Sequence, residues 1–193
     1  MRSPRPTSGA HVVATALGFD PGFASFGWAL ADLMSDGTLR LVSLGVIRTQ
    51  KDDAKREVFA AGDNFNRAKE IAAVLNSKVA ESEPRVFCAE SMSFPRSASV
   101  AAKMAMSWGL IAMLAEQHKI ALVATSPQRI KQRVAGAKDA SKQAVQDALV
   151  KQFQTLPTHL APITKSKHEH ACDALASIVA GVESDVVNAI WRR

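Results

Sequence analysis

The sequence predicts one mixed α/β domain built around a single central sheet. Its 193 residues are about one domain's length, and its 47% hydrophobic content is enough for a sizeable core. Strand-like and helix-like segments alternate in the order βββ-α-β-α-β-α-α-α, which is typical of this class. The fold class that follows is α/β, with a central five-stranded mixed sheet and helices on both faces.

The five predicted strands are short apolar and β-branched runs bounded by turn signals. The first is VVATALGFD at residues 12–20, and the turn PGFAS follows it. FGWALADL at 26–33, the turn SDG and LRLVSLGVIRT at 39–49 complete three close-spaced strands. Their short connections predict an antiparallel meander. EPRVFCAE and KIALVAT, at 83–90 and 119–125, are the fourth and fifth strands.

The predicted helices follow from helical periodicity and from capping residues. The first ends near Glu81 and repeats apolar side chains at Phe65, Ala68, Ala72 and Leu75. An Ala- and Met-rich helix runs from residue 99 to 118. Ser126 is a natural N-cap for the next helix, with Pro127 at its first position. The last two helices are predicted over residues 140–153 and 167–182.

The termini and the cysteines carry no targeting or redox signal. Residues 1–12 are basic but lack the apolar centre of a signal peptide, so they are predicted to be a flexible arm. Residues 184–193 are predicted to be a C-terminal tail. No run of 18 or more apolar residues occurs, so no membrane span is expected. Cys88 and Cys172 lie in apolar segments and indicate neither a disulfide nor a CxxC metal site. We therefore expect a cytoplasmic, reduced protein.

The net charge of +6 favours polyanionic partners such as nucleic acid, although many basic proteins only carry solvated basic faces. The distribution is more informative than the total. Between Arg129 and Lys151 there are six basic residues and two acidic ones, on segments predicted to be helical. Part of one face could therefore form a basic stripe.

Two carboxylates close predicted core strands. Asp20 ends the first strand before Pro21 and Gly22, and Glu90 ends the fourth after VFCA. Each has an ordinary explanation, as a turn-initiating Asp or as a strand-end charge. However, both strands are expected to be parallel core strands, and sites in open α/β sheets gather outside the carboxyl ends of such strands.

The stretch HEHACDALA places two more ionisable groups where a helix enters the core. His170 and Asp173 are three residues apart, so they share a helix face, and Asp173 lies close to the apolar stripe. The ordinary explanation is an interaction of Asp173 with the helix dipole. His168 and Glu169 are expected to face solvent and are assigned no role. Asp20, Glu90 and Asp173 would offer oxygen ligands to divalent cations, with the histidine as nitrogen ligand or proton-transfer group.

In order, the motifs GFDPGFASFGWA, VFCAE, SPQRIKQRVAGAKDASKQAVQDAL and HACDALA resemble those of RuvC-type Holliday junction resolvases. The resemblance spans roughly residues 16–181. It implies a ribonuclease H-like nuclease domain over residues 13–183 and a homodimer that cuts four-way DNA junctions symmetrically with Mg²⁺. It also makes a branch-migration helicase a candidate partner.

Position by position, the resemblance makes Asp20, Glu90, His170 and Asp173 the metal ligands and catalytic group. Many members have Asp where this chain has His170, and others have His. Lys131 and Lys142 match basic positions implicated in DNA contact and catalysis. Lys142 is expected in the first turn of its helix after the N-cap Asp139, where the helix dipole disfavours a cation. Further DNA contacts are expected from Arg129, Arg133 and Arg96.

Two regions have alternative interpretations. The family often inserts an aromatic residue at the junction centre shortly after the second acid. Phe94 is the candidate here, although it is displaced by about one position, precedes Pro95 and could instead anchor the loop to the core. The helix over 99–118 corresponds to the family's dimer-forming region, and packing on its own sheet would explain much of the same pattern. Its small or interfacial residues are Ala101, Ala105, Trp108, Ala112 and Ala115.

The predicted activity is a metal-dependent endonuclease that resolves Holliday junctions during recombination and repair. Two Mg²⁺ ions per site, about 4 Å apart, would bridge the scissile phosphate, and Mn²⁺ should substitute. One alternative is a relaxed endonuclease for forks and flaps, and another is a junction-binding protein without catalysis. A phosphotransferase of the actin and sugar-kinase fold is disfavoured because 193 residues leave no room for two lobes.

Overall fold

A five-stranded sheet forms the centre of the protein in a computed structural model that describes residues 9–51, 60–92 and 97–191. The strands are β1 (Val12–Asp20), β2 (Ser25–Met34), β3 (Leu39–Arg48), β4 (Val86–Glu90) and β5 (Ala121–Thr125). Their order across the sheet is β3-β2-β1-β4-β5. The pairs β1–β2 and β2–β3 are antiparallel, while β1–β4 and β4–β5 are parallel. The predicted meander and mixed sheet are confirmed.

The register of the parallel strands positions the ends of β1 and β4. Phe19 lies opposite Ala89 in this pair, so the next residues, Asp20 and Glu90, leave the sheet at the same edge. Glu90 in turn lies opposite Thr125 of β5. Parallel pairing thus gathers two carboxylates that are 70 positions apart in the numbering.

Helices cover both faces of the sheet. One face packs against α1 (Ala60–Ser82) and α2 (Ala98–His118) through a core that includes Phe19, Phe87, Ile71 and Leu114. The other face carries α6 (His168–Gly181), buried along most of its length. Around α6 lie α3 (Pro127–Ala135), α4 (Lys142–Gln152), α5 (Leu156–Leu160), α7 (Asp185–Trp191) and the 3₁₀ turn Lys165–Lys167.

Glycines allow α6 to approach the sheet closely. A Cβ at Gly18 of β1 would overlap the carbonyl oxygen of Ala174, and one at Gly27 of β2 would overlap that of His170. A Cβ at Gly181 would approach Cys88 Sγ of β4 at 2.6 Å. Gly27 pairs with Asp20 in the sheet, so the close contact of Gly27 with the His170 carbonyl fixes the first turn of α6 beside the end of β1.

The predicted helix is confirmed as α1, and its buried stripe includes two charged residues. Phe65 is 62% exposed, whereas the buried positions are Asp63, Arg67, Ile71, Leu75 and Val79. The two charged residues can occupy this stripe because Arg67 Nη1 lies 3.7 Å from Asp63 Oδ2, so each offsets the other's desolvation.

Two other details depart from expectation near the chain's second half. The N-cap of α4 is Ser141, whose Oγ accepts a 3.1 Å hydrogen bond from the Ala144 amide, and not Asp139. Lys142 is consequently the first residue of the helix.

The segment predicted to be a tail contains α7, where Val187 is buried and Trp191 Nε1 donates to the Met34 carbonyl at 2.8 Å. The domain boundaries themselves stay predictions.

Among the described residues, α2 meets a length-and-composition criterion for a membrane-spanning helix, although it contains no uninterrupted run of 18 apolar residues. The stretch Lys165–Gly181 together with α7, bent by 76°, would also meet that criterion. Most of α6 is buried in the core, and core helices commonly meet the same criterion, so this is weak evidence of a span. By contrast, α2 leaves Val100 and Met113 about half exposed, which gives this chain an uncovered apolar surface.

Candidate active site

Four ionisable side chains from three parts of the chain come together at the carboxyl ends of β1 and β4. Asp20 and Glu90 end these two strands, and His170 and Asp173 lie in the first turns of α6. His170 Nδ1 is 2.7 Å from Asp20 Oδ2 although the two residues are 150 positions apart. All four predicted metal-site residues therefore lie within one cluster.

The His170 ring bridges the cluster to its surroundings. When Nδ1 carries the proton it donates to Asp20, and Nε2 then keeps a free lone pair. Nε2 lies 3.9 Å from Glu169 Oε1, on the exposed side of α6. In that tautomer the ring can present Nε2 to a cation or to a proton.

Glu90 is the most strongly perturbed acid of the cluster. Burial raises the pKa of the Glu90 carboxyl to about 7, and the negative charges of Asp20 and Asp173 act in the same direction. Lys142 and Lys131 oppose this rise, so both lysines lie within electrostatic reach of the carboxylate. A perturbed acid beside like charges is typical of a functional site.

Asp173 shares the same environment. Burial raises the pKa of its carboxyl to about 6, with a further contribution from the charge of Asp20 and partial relief from Lys142. Three carboxylates therefore face one another with too little positive charge to compensate them. A bound cation would remove that repulsion and favour the ionised forms.

The burial of Glu90, together with this repulsion, should be measurable as a pH-dependent cost of folding. Glu90 holds its proton in the folded state up to about pH 7 but releases it near 4.5 when unfolded, so metal-free stability should fall as pH rises across that window. In EDTA at pH 8, Glu90→Gln should stabilise the protein by roughly 1–2 kcal/mol after allowance for solvent screening, or about 2–6 °C in Tm. Thermal denaturation at several pH values measures this.

The gain in Glu90→Gln should vanish at pH 4, where both states of the wild type are protonated. Excess Mg²⁺ at pH 8 should raise the Tm of the wild type more than that of the variant. Glu70→Gln, at an exposed position of α1, is the control and should show neither effect. Identical melting of wild type and Glu90→Gln in EDTA at pH 8 would contradict the prediction.

The basic side of the site is organised by a residue to which the sequence assigned no role. Glu169 Oε2 lies 3.1 Å from Lys142 Nζ. Burial lowers the pKa of the Lys142 ammonium, but the Glu169 hydrogen bond and the charge of Asp173 outweigh it, so the pKa lies above its usual value. The same hydrogen bond holds the pKa of Glu169 below its usual range. Helical periodicity predicted only that Glu169 faces solvent. Lys142 contacts it on that exposed side.

The other predicted DNA contacts differ in their surroundings. Arg129 is exposed at the start of α3, and Lys131 is half-buried near Glu90. Arg133 forms a salt bridge instead, since its Nη1 lies 2.8 Å from Glu183 Oε1. Phe94 and Arg96 lie outside the described residues.

A cleft of about 260 Å³ opens beside Asp173, between α4 and the turn Lys165–Lys167. Its polar lining includes Lys142, Gln143, Gln146, Lys165, Ser166 and Glu169. A larger cleft of about 370 Å³ lies near Pro84 and Lys119, where β4 and β5 begin, at the edge of the sheet opposite the carboxylates. The smaller cleft is therefore the one that adjoins the acidic cluster.

The donor set fits a divalent cation in its chemistry. Three carboxylates and an imidazole supply hard oxygen ligands and one nitrogen, and the raised pKa values of Glu90 and Asp173 indicate uncompensated charge. Within the described part of the chain, no three His, Cys, Asp or Glu side chains already converge as a ready-made metal site. Asp20 uses its Oδ2 for the contact with His170.

Comparison with known proteins gives a consistent result. The family model described as crossover junction endodeoxyribonuclease RuvC matches residues 16–180. The chain is 28% identical to the protein of that name from Natranaerobius thermophilus over 161 residues, covering 83% of this chain and 89% of the relative. It is 30% identical to that of Prochlorococcus marinus strain MIT 9303 over 167 residues, covering 86% and 96% respectively.

The fold is also similar to that of a solved structure. "T. thermophilus RuvC in complex with Holliday junction substrate" superposes with a TM-score of 0.67 over 86% of this chain and 91% of that chain, at 19% identity. At this identity the likeness concerns the fold alone. It confirms the predicted ribonuclease H-like architecture with a five-stranded mixed sheet.

Proposed function

The chain belongs to the RuvC family of crossover junction endodeoxyribonucleases, and on that basis we propose that it resolves four-way DNA junctions by hydrolysing phosphodiester bonds. The family is metal-dependent. The observation that carries the proposal is the meeting of Asp20, Glu90, His170 and Asp173 at one sheet edge within the matched region. These are the residues that the motif resemblance selects.

In this proposal Asp20, Glu90 and Asp173 hold two Mg²⁺ ions, for which Mn²⁺ can substitute. When bound, such ions activate water and stabilise charge on the phosphate. Deprotonation of Glu90 and Asp173 accompanies binding, because their raised pKa values mean that part of each population is protonated near neutral pH. Below about pH 6 this competition with protons should weaken metal binding.

His170 and Lys142 act beside the carboxylates. The neutral imidazole uses Nε2 as a ligand or proton acceptor while Nδ1 faces Asp20. Lys142 offsets negative charge that develops on the phosphate. To do so it must exchange its contact with Glu169 for the phosphate oxygens, and both side chains are exposed enough to move.

Basic residues around the site would hold the DNA backbone. Lys131 of α3 and Lys142 of α4 carry positive charge within electrostatic reach of Glu90, and Arg129 is exposed on the same helix as Lys131. Phosphate contacts of this kind fix position without strong base readout, which suits recognition of a branched shape. Cytoplasmic location and a branch-migration helicase partner stay predictions.

Cleavage of a mobile four-way junction is the direct test. Junction, fork, flap and linear duplex should be compared with Mg²⁺, Mn²⁺ and EDTA. Symmetric nicks on the junction alone support the proposal. Equal cleavage of forks and flaps would favour the relaxed nuclease, and junction binding without cleavage in either metal would favour a non-catalytic binding protein.

We also propose that α2 forms a two-fold interface, so that a dimer places two sites on opposite arms of one junction. Ala105, Gly109, Ala112 and Met113 are all exposed on one face of this helix. Small side chains allow a second helix to approach closely, and burial of Met113 would remove apolar surface from water. The family resemblance supports the same region.

A carboxylate on this face should separate the subunits. Ala105→Glu should weaken the dimer by roughly 3 kcal/mol or more, about a hundredfold in Kd, because the charge would be buried without a partner. Gln117→Glu, exposed near the end of α2, is the control and should leave the dimer intact. Sedimentation at micromolar concentration measures both. A wild-type monomer in solution and also on junction DNA would contradict the proposal.

A further inference from the structure

A buried arginine contacts the connection that follows Asp20. Arg67 of α1 is only 6% exposed. Its Nε donates a 2.9 Å hydrogen bond to Thr49 Oγ1, and its guanidinium carbon lies 4.7 Å from the centre of the Phe23 ring. An apolar side chain could fill this space without the cost of burying a charge. Arginine instead pairs its charge with Asp63, at 3.7 Å from Nη1 to Oδ2, and adds the directional contacts with Thr49 and Phe23.

Thr49 joins this arginine to the connection between β1 and β2. Its hydroxyl donates to the Phe23 carbonyl at 2.7 Å while accepting from Arg67. Its backbone amide donates to the Ala24 carbonyl at 3.3 Å. One residue thus holds two carbonyl groups of a connection only four residues long, residues 21–24.

That connection starts directly after Asp20. The Gly22 amide donates to the Asp20 carbonyl at 2.8 Å, and a Cβ on Gly22 would overlap the Ser25 carbonyl, so the turn has little room to rearrange. A shift of Phe23 would therefore be transmitted to Asp20. On the other side, Asp20 pairs with Gly27, against which the His170 carbonyl packs.

We propose that Arg67 and Thr49 form a clamp that positions Asp20 for divalent-cation binding. The inference rests on the proposed function, since it concerns the metal site of that nuclease. Neither residue touches the metal or the substrate, so both are positioning residues. Residues that orient metal ligands typically change metal affinity 10- to 100-fold when they are replaced.

The test is Mn²⁺ binding by the intact protein, measured by titration calorimetry without DNA. Thr49→Val keeps the shape of the side chain but removes the hydroxyl that links Arg67 to Phe23, and should weaken Mn²⁺ binding at least about tenfold. Thr49→Ser keeps the hydroxyl and should bind within about twofold of wild type. Arg67→Lys keeps the charge near Phe23 but loses the Nε donor, and should also weaken binding.

A matched threonine substitution on β1, the strand that carries Asp20, separates an effect on the position of Asp20 from a general loss of stability. Thr15 Oγ1 donates to Asp32 Oδ1 at 2.9 Å in the half of β1 remote from Asp20. Thr15→Val should lower the Tm but leave Mn²⁺ affinity unchanged. Unchanged Mn²⁺ affinity in Thr49→Val, or an equal loss in Thr15→Val, would overturn the inference.

Wild-type junction cleavage, measured in parallel, distinguishes this inference from the proposed function. If the wild type cleaves junctions and Thr49→Val binds Mn²⁺ normally, the clamp is refuted and the function stands. If the wild type binds Mn²⁺, loses affinity in Thr49→Val, but cleaves no junction, the clamp stands and the function is refuted. Absence of Mn²⁺ binding by the wild type refutes the clamp.

Discussion

Asp20→Asn, Glu90→Gln and Asp173→Asn should each reduce junction cleavage at least roughly 1000-fold, about 4 kcal/mol in the activation barrier. Each amide keeps the shape of the side chain but removes the charge that would hold the cation. Junction binding in EDTA should stay within about threefold of wild type, because positive charge on α3 and α4 is untouched.

Single-turnover cleavage of a mobile junction at saturating protein and Mg²⁺ measures this effect. Asp185→Asn, at an exposed acid in the first turn of α7, is the control and should cleave normally. The Glu90 and Asp173 variants should be no less stable than the wild type at neutral pH without metal, since they remove carboxylates whose ionisation is penalised by burial. Loss of activity would therefore not reflect unfolding. A variant that cleaves at the wild-type rate would exclude its residue as a ligand.

The two strand-end acids could be predicted to lie at the same edge of the sheet, because both were expected to end parallel core strands. The structure adds that β1 and β4 are adjacent, which brings the two acids together. The helix period likewise fixed His170 and Asp173 on one face. What the sequence could not supply was the 2.7 Å contact of His170 with Asp20, which depends on how closely α6 approaches Gly27.

Contacts between distant polar residues were missed for a common reason. Hydrophobic periodicity identifies a buried face by its apolar residues, so it cannot recognise a charged pair that is buried with its partner. Arg67 and Asp63, which are buried, were therefore overlooked, whereas Phe65, which contributed to the helical periodicity, is exposed. The Lys142–Glu169 pair spans 27 positions, and neither residue carries a local signal for the other.

The capping error at α4 has a local explanation. Asp139 and Ser141 are both good N-cap residues, and they stand two positions apart. The backbone decides between them, since Ser141 adopts the extended conformation from which its Oγ reaches the Ala144 amide. Moving the cap by two residues makes Lys142 the first residue of the helix, beside the acidic cluster.

His170→Ala should lower the cleavage rate at least about 100-fold, whereas His170→Asp should retain activity within about tenfold of wild type. Alanine removes both the contact with Asp20 and the nitrogen that would serve as ligand or proton acceptor. Aspartate supplies an oxygen ligand at the position where many family members carry one. The matched control is His168→Ala. His168 contacts the Ile163 carbonyl, so this variant should leave the rate unchanged.

The choice of metal distinguishes a nitrogen ligand from an oxygen ligand at position 170. Nitrogen ligation suits Mn²⁺ better than Mg²⁺, so Mn²⁺ should support at least comparable wild-type rates. The ratio of the Mn²⁺ rate to the Mg²⁺ rate should be higher for the wild type than for His170→Asp, which offers an oxygen ligand instead. Single-turnover rates of both proteins with each metal measure this ratio. If His170→Ala keeps the wild-type rate, His170 has no part in the chemistry and is only a residue in the first turn of α6.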